Sequence, residues 1–95
     1  MAITIIDEVT QASSGQDITI LADITDAEGA KIARECFIEL WQGNNAIYKA
    51  NGAYNGEIWA FTIPADITID LHGRFFYTIS NNEHNLCEIK PIYII

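Results

Sequence analysis

From Asp17 to Thr25 the chain reads DITILADIT, setting Ile18, Ile20, Ala22 and Ile24 against Thr19, Leu21, Asp23 and Thr25. A period of two puts alternate side chains on opposite faces of an extended strand, and a helix cannot bury such a set on one side. The same alternation recurs in EIWAFTI, Glu57 to Ile63, and in GRFFYTIS, Gly73 to Ser80. No window carries the i, i+3, i+4, i+7 spacing of an amphipathic helix. The pattern therefore predicts an all-β chain, rich in Ile, Thr, Phe and Tyr and interrupted by Gly, Asn and Asp.

The runs are short and closely spaced. A first strand is expected over Ile3 to Glu8, followed by a loop at Ser13 to Gly15. DITILADIT breaks at DAEG, where Asp26 and Gly29 suit the ends of a tight turn. Cys36 to Trp41 forms the next strand, closed by GNN as a hairpin into AIYKA. EIWAFTI ends at Pro64, which cannot continue a central ladder. ADITIDLHG reads either as a crossover turn or as a weak strand. RFFYTIS, the polar turn NNEHN and LCEIKPIYII complete the set. About seven strands within roughly a hundred residues fit a single antiparallel β-sandwich domain spanning residues 1–95.

Charge narrows the partners. Thirteen acidic residues against five basic ones leave a net charge of -8, which repels phosphate backbones and argues against nucleic acid. The opening MAITIIDEVT lacks a basic n-region, and nothing reaches the length of a membrane span, so a soluble chain made in the cytoplasm is expected. In that compartment Cys36 and Cys87 are expected as reduced thiols behaving as small hydrophobes.

Catalytic and metal motifs do not emerge. His72 and His84 sit beside turn signals and belong to no HExxH or similar spacing. Asp23, Asp26 and Glu28 lack the EF-hand pattern and suit an exposed turn. No catalytic residue, cofactor or metal is assigned, and the chain is not expected to be an enzyme. An alternative function is a carbohydrate-binding module in which Trp41, Tyr48, Tyr54 and Trp59 line an exposed aromatic platform.

Alternation also sorts inward from outward side chains. Phe75, Tyr77 and Ile79 make one face and Trp59, Phe61 and Ile63 another, both expected in the core. Phe76 and Ile58 are left outside. Each is either an isolated exposed apolar residue or part of a protein contact, the second if the two strands share an outer patch. The terminal PIYII is either a last core strand or an edge that pairs with a neighbouring subunit. The candidate interface is therefore Ile58, Phe76, Tyr93, Ile94 and Ile95.

The ordered features GQDITILADITDAEG, FIELWQGNNAIYKANGAY, WAFTIPAD and LHGRFFYTIS resemble the immunoglobulin-like N-terminal domain of phage baseplate upper proteins and related tail or collar adaptors. Gly15, Asp17, Asp26 and Gly29 match that family's first hairpin, and Phe61, Ile63, Gly73, Phe75, Tyr77 and Ile79 match its later strands. The resemblance implies an immunoglobulin-like sandwich serving as a virion adaptor or decoration subunit. Its partners would be other virion proteins in a symmetric assembly, or further copies of itself.

Overall fold

The computed structural model describes residues 2–95. In chain order its elements are β1 (Ala2–Asp7), β2 (Gln11–Ala12), β3 (Ile18–Thr25), β4 (Cys36–Gln42) and β5 (Asn45–Asn51), then β6 (Ala53–Tyr54), β7 (Trp59–Ile63), α1 (Ala65–Thr68), β8 (Gly73–Asn81) and β9 (Leu86–Ile94). Two sheets form, ordered β1-β3-β7-β6 and β2-β9-β8-β4-β5. Their packing makes an all-β sandwich. Among the described residues the strands number nine rather than about seven, because β2 and β6 have two residues each, too few to leave an alternating pattern.

The core lies between the sheets and is built from the predicted inward sets. Ile18, Ile20, Ala22 and Ile24 come from β3, and Trp59, Phe61 and Ile63 from β7. They meet Cys36, Ile38 and Leu40 of β4, Phe75, Tyr77 and Ile79 of β8, and Ile92 and Ile94 of β9. A fully buried Leu, Ile or Phe contributes about 1.5–3 kcal/mol, so a one-residue slip of any central strand would be costly. Gly52 is required by this packing: a Cβ there would lie 2.5 Å from Phe61 Cε1 and 2.7 Å from Trp59 Cε3.

Turn chemistry works as the sequence suggests. The Asp26 carbonyl accepts a bond from the Gly29 N–H, and the Asp26 carboxylate accepts two more from Glu28 and Ala30, each at 2.9 Å. The Ala30 bond comes first among the causes that hold the Asp26 carboxyl below its ordinary range. The ambiguous ADITIDLHG becomes a crossover carrying the chain from one sheet to the other through the single turn of α1. Asp17 accepts the Ala65 N–H at 2.7 Å, and buried Thr68 donates to the Gln16 carbonyl at 2.8 Å. The crossover is thereby tied to the loop before β3.

The carboxyl-terminal strand, expected either as a last core strand or as an edge open to a neighbouring subunit, is paired within the chain. Parallel β2 pairs with the end of β9, so Tyr93 N–H donates to the Thr10 carbonyl and Ile95 N–H to the Ala12 carbonyl, both at 2.9 Å. Ser14 N–H closes the series on the Ile95 carbonyl at 2.8 Å. The edge that the second of these readings offers to a neighbouring subunit is thus occupied by the chain's own β2. Ile94 is fully buried, which removes it from the candidate interface.

Ile94→Ala should therefore lower unfolding free energy by about 2–5 kcal/mol in chemical denaturation, whereas half-exposed Ile95→Ala should stay within about 0.5 kcal/mol. Equal losses would contradict the assigned register. In the same assay Gly52→Ala should cost about 1–3 kcal/mol through overpacking against Phe61 and Trp59.

Candidate functional site

The outward positions of β4, β8 and β9 assemble one continuous surface. Strand register aligns Trp41, Phe76 and Pro91 in a row across the three strands. The next row is Glu39, Thr78 and Ile89, and the one after it Phe37, Ser80 and Cys87. Arg74 stands opposite Tyr93 at the other end. Ile89 is 63% exposed, Tyr93 46% and Phe76 45%, a concentration of uncovered apolar area on one sheet face.

The surface has relief. Thr78 and Ser80 are short and nearly covered by taller neighbours. They lie with Trp41, Phe76, Cys87 and Ile89 around a groove of about 480 Å³. The Trp41 Nε1–H donates to Thr78 Oγ1 at 3.2 Å, which ties the indole of β4 to β8 and limits its rotation. Lys49 Nζ sits 4.3 Å from the centre of the Phe37 ring, in cation–π range, and closes the side nearest β5.

Charge on this face departs from the chain average. Lys31 pairs with Asp23 at 2.8 Å, Arg34 with Glu83 at 3.4 Å, and Lys90 with Glu8 and Glu88 at 3.4 and 3.6 Å. Among the described residues the remaining cations, Lys49 and Arg74, have no carboxylate partner. Both belong to this face, where Glu39 is the acidic residue at the outward positions of β4, β5, β8 and β9. On the other sheet Thr19 and Thr62 share a hydrogen bond at 3.2 Å and Asp23 holds Lys31, while Leu21 lies half-buried opposite Ala60 and Ile6 of β1 is exposed.

Of the sequence-predicted interface, Phe76 and Tyr93 lie on the face, and Ile95 is exposed just beyond the end of β9. Ile94 points into the core, as period two requires between outward Tyr93 and Ile95. Ile58 is half-buried in the turn before β7, its N–H donating to Asn55 Oδ1 at 2.9 Å. That turn leads into the opposite sheet, so Ile58 and Phe76 share no patch. Trp41, Ile89 and Pro91 were not singled out for the interface. Alternation along LCEIKPIYII separates Cys87, Ile89, Pro91 and Tyr93 from the inward residues, but only the strand order puts them beside Phe76.

The proposed sugar platform does not assemble. Trp59 is 4% exposed, donates its Nε1–H to the Ile32 carbonyl at 2.7 Å and packs at a tilt of 33° against Tyr54, ring centres 5.2 Å apart. Tyr48 and Tyr54 pack on the core from different sheets, and Trp41 faces outward from the five-stranded one. Cys36 is a buried free thiol, its pKa raised by burial, whereas Cys87 is exposed and departs from the expected burial. Among the described residues no group of three or more His, Cys, Asp or Glu side chains is arranged to hold a metal ion. No helix there is long and apolar enough to cross a membrane.

No family model matches the chain, and no curated protein matches it. Among solved structures, the crystal structure of an engineered protein determined at 1.98 Å resolution is similar, with a TM-score of 0.66 and 14% identity. The likeness covers 99% of this chain and 20% of that one, so the chain spans about a fifth of that structure's length. At this identity it concerns the fold alone.

Beneath the face, the buried Tyr77 hydroxyl has no hydrogen-bond partner among the described residues. Burial pushes its pKa up from 10.0 to about 12, with smaller contributions from the Glu8 and Glu88 carboxylates. The folded protein thus holds this proton more tightly than the unfolded chain. Its contribution to stability is complete below pH 10.0 and is lost as pH rises towards about 12. Tyr77→Phe should raise stability at neutral pH by roughly 1 kcal/mol by removing the unpaired hydroxyl. It should also move alkaline unfolding, followed by far-UV circular dichroism, to higher pH. Superimposable alkaline profiles would contradict this assignment.

Proposed function

We propose that this chain is an interaction domain that docks on protein through the outer face of its five-stranded sheet, as an immunoglobulin-like adaptor or decoration subunit of a phage virion. The observation that carries the docking reading is the Trp41–Phe76–Pro91 row, flanked by Ile89 and Tyr93 and backed by rigid sheet. Aromatic anchors around an apolar groove, with few charges among them, have the composition of a protein-contact centre rather than of an average surface. Rigid strands also hold these side chains without an ordering cost at the moment of contact.

The virion setting is supported by the resemblance. Two of the residues that carry it have turn-forming duties, Asp26 in the hairpin after β3 and Asp17 at the start of α1. The immunoglobulin-like label draws support from two packed sheets, antiparallel in all pairings but β2 with β9, within roughly a hundred residues. Docking would proceed by side-chain complementarity. Strand addition at the carboxyl terminus is not proposed, since β2 covers that edge.

A photo-crosslinking phenylalanine analogue at position 76, compared with one at Thr62 on the opposite sheet, tests the reading in cells that produce the assembled particle. Position 76 should give a defined protein adduct in the particle, and position 62 should not. Adducts from position 62 alone, or none from position 76, would reject this face as the docking surface.

A further inference from the structure

Resting on the reading of this face as a docking surface, we infer that its occupant is a second copy of the same chain, packed face to face about a two-fold axis. Charge is the first argument. Outward positions of β4, β5, β8 and β9 carry Glu39 against Lys49 and Arg74, a net of +1, while the whole chain carries -8. The rest of the molecule therefore holds -8 minus +1, or -9. Two copies meeting through most other surfaces bring carboxylates against carboxylates. Here each presents an apolar centre with both free cations, and the Glu39 of one copy has Lys49 or Arg74 of the other as an available counter-ion.

Size is the second argument. Strands β9 and β8, nine residues long, and β4 and β5, seven residues long, spaced at about 4.8 Å, give a plan area of roughly 510 Å². Two copies together bury about 1,000 Å², which reaches the approximately 1,000 Å² expected of a specific interface. The face is used whole or not at all, because no smaller part of it reaches that size.

Relief is the third. An isologous contact needs a projection and a hollow on the same surface, each made twice by symmetry. Ile89, the most exposed large apolar residue on the sheet, stands beside the groove floored by Thr78 and Ser80. Turned over on itself, the face offers each copy's projecting side chains to the other's hollow. Two stacked sheets at the usual separation of about 10 Å would then form a second, intermolecular sandwich layer.

Sedimentation of the purified full chain over a concentration series into the high micromolar range tests this. The mass should rise from 10.6 kDa towards twice that value. Phe76→Ser and Ile89→Ser should each return the mass to that of the monomer with an unchanged circular dichroism spectrum, whereas Thr62→Ser should leave the dimer intact. A chain that stays monomeric throughout overturns the inference, as does a dimer that both face variants leave unchanged. A monomer whose position-76 probe crosslinks to a different protein overturns the second copy alone and leaves the docking reading standing. A monomer without any such adduct overturns both.

Discussion

Every pairing in the five-stranded sheet except those at its two margins depends on β8. Its nine residues are bonded on one side to β9 over their whole length and on the other to β4 from Phe76 to Asn81. Because the side-chain period is two, this double constraint leaves no freedom about which residues face inward. Phe75, Tyr77 and Ile79 reach the core, and Phe76 is forced out between Trp41 and Pro91. The exposed aromatic is therefore a consequence of the same register that stabilises the fold. What the chain could vary is the identity of the outward residue, and a phenylalanine there adds nothing to the buried core.

That coupling explains how much could be read in advance. Inward sets on β3, β7 and β8 are legible because each alternates over five or more residues between turn residues. β2 and β6 are not, since a two-residue strand is specified by its partner rather than by its own pattern. Ile94 is hard to place for a related reason: PIYII is apolar nearly throughout, so composition does not say which of its alternating sets faces inward until β9 is paired with β8. Ile58 failed differently. The strand in EIWAFTI begins one residue after it, at Trp59, because Asn55 captures the Glu57 and Ile58 N–H groups in a turn.

The outer face of the five-stranded sheet is half legible in the sequence. Phe76 and Tyr93 can be separated from the core by alternation alone, whereas their neighbours Trp41 and Ile89 come from strands 35 and 13 residues away from Phe76 in sequence, in opposite directions. Sheet order is a long-range property fixed by the sum of many pairings, and it leaves no local signal. The same holds for the cations. Nothing in the sequence distinguishes Lys49 and Arg74 from Lys31, Arg34 and Lys90, yet the fold gives the last three acidic partners and leaves the first two on the apolar face.

The sheet margins bear on how such a protein can associate. β2 and β6 end their sheets with two residues each, β1 has its pairing register interrupted after Ile5, and β5 is interrupted opposite Leu40 and carries Lys49. Short strands, irregular register and lysine are the means by which natural sheets discourage edge-to-edge pairing. With the margins blunted in these ways, backbone-mediated association is disfavoured on every side, while one broad face is left apolar and low in negative charge. A chain selected only to remain monomeric would have reason to treat both alike. The contrast favours contact through side chains on the sheet face, where specificity comes from the shape and charge of particular residues rather than from the generic hydrogen bonds of an open strand.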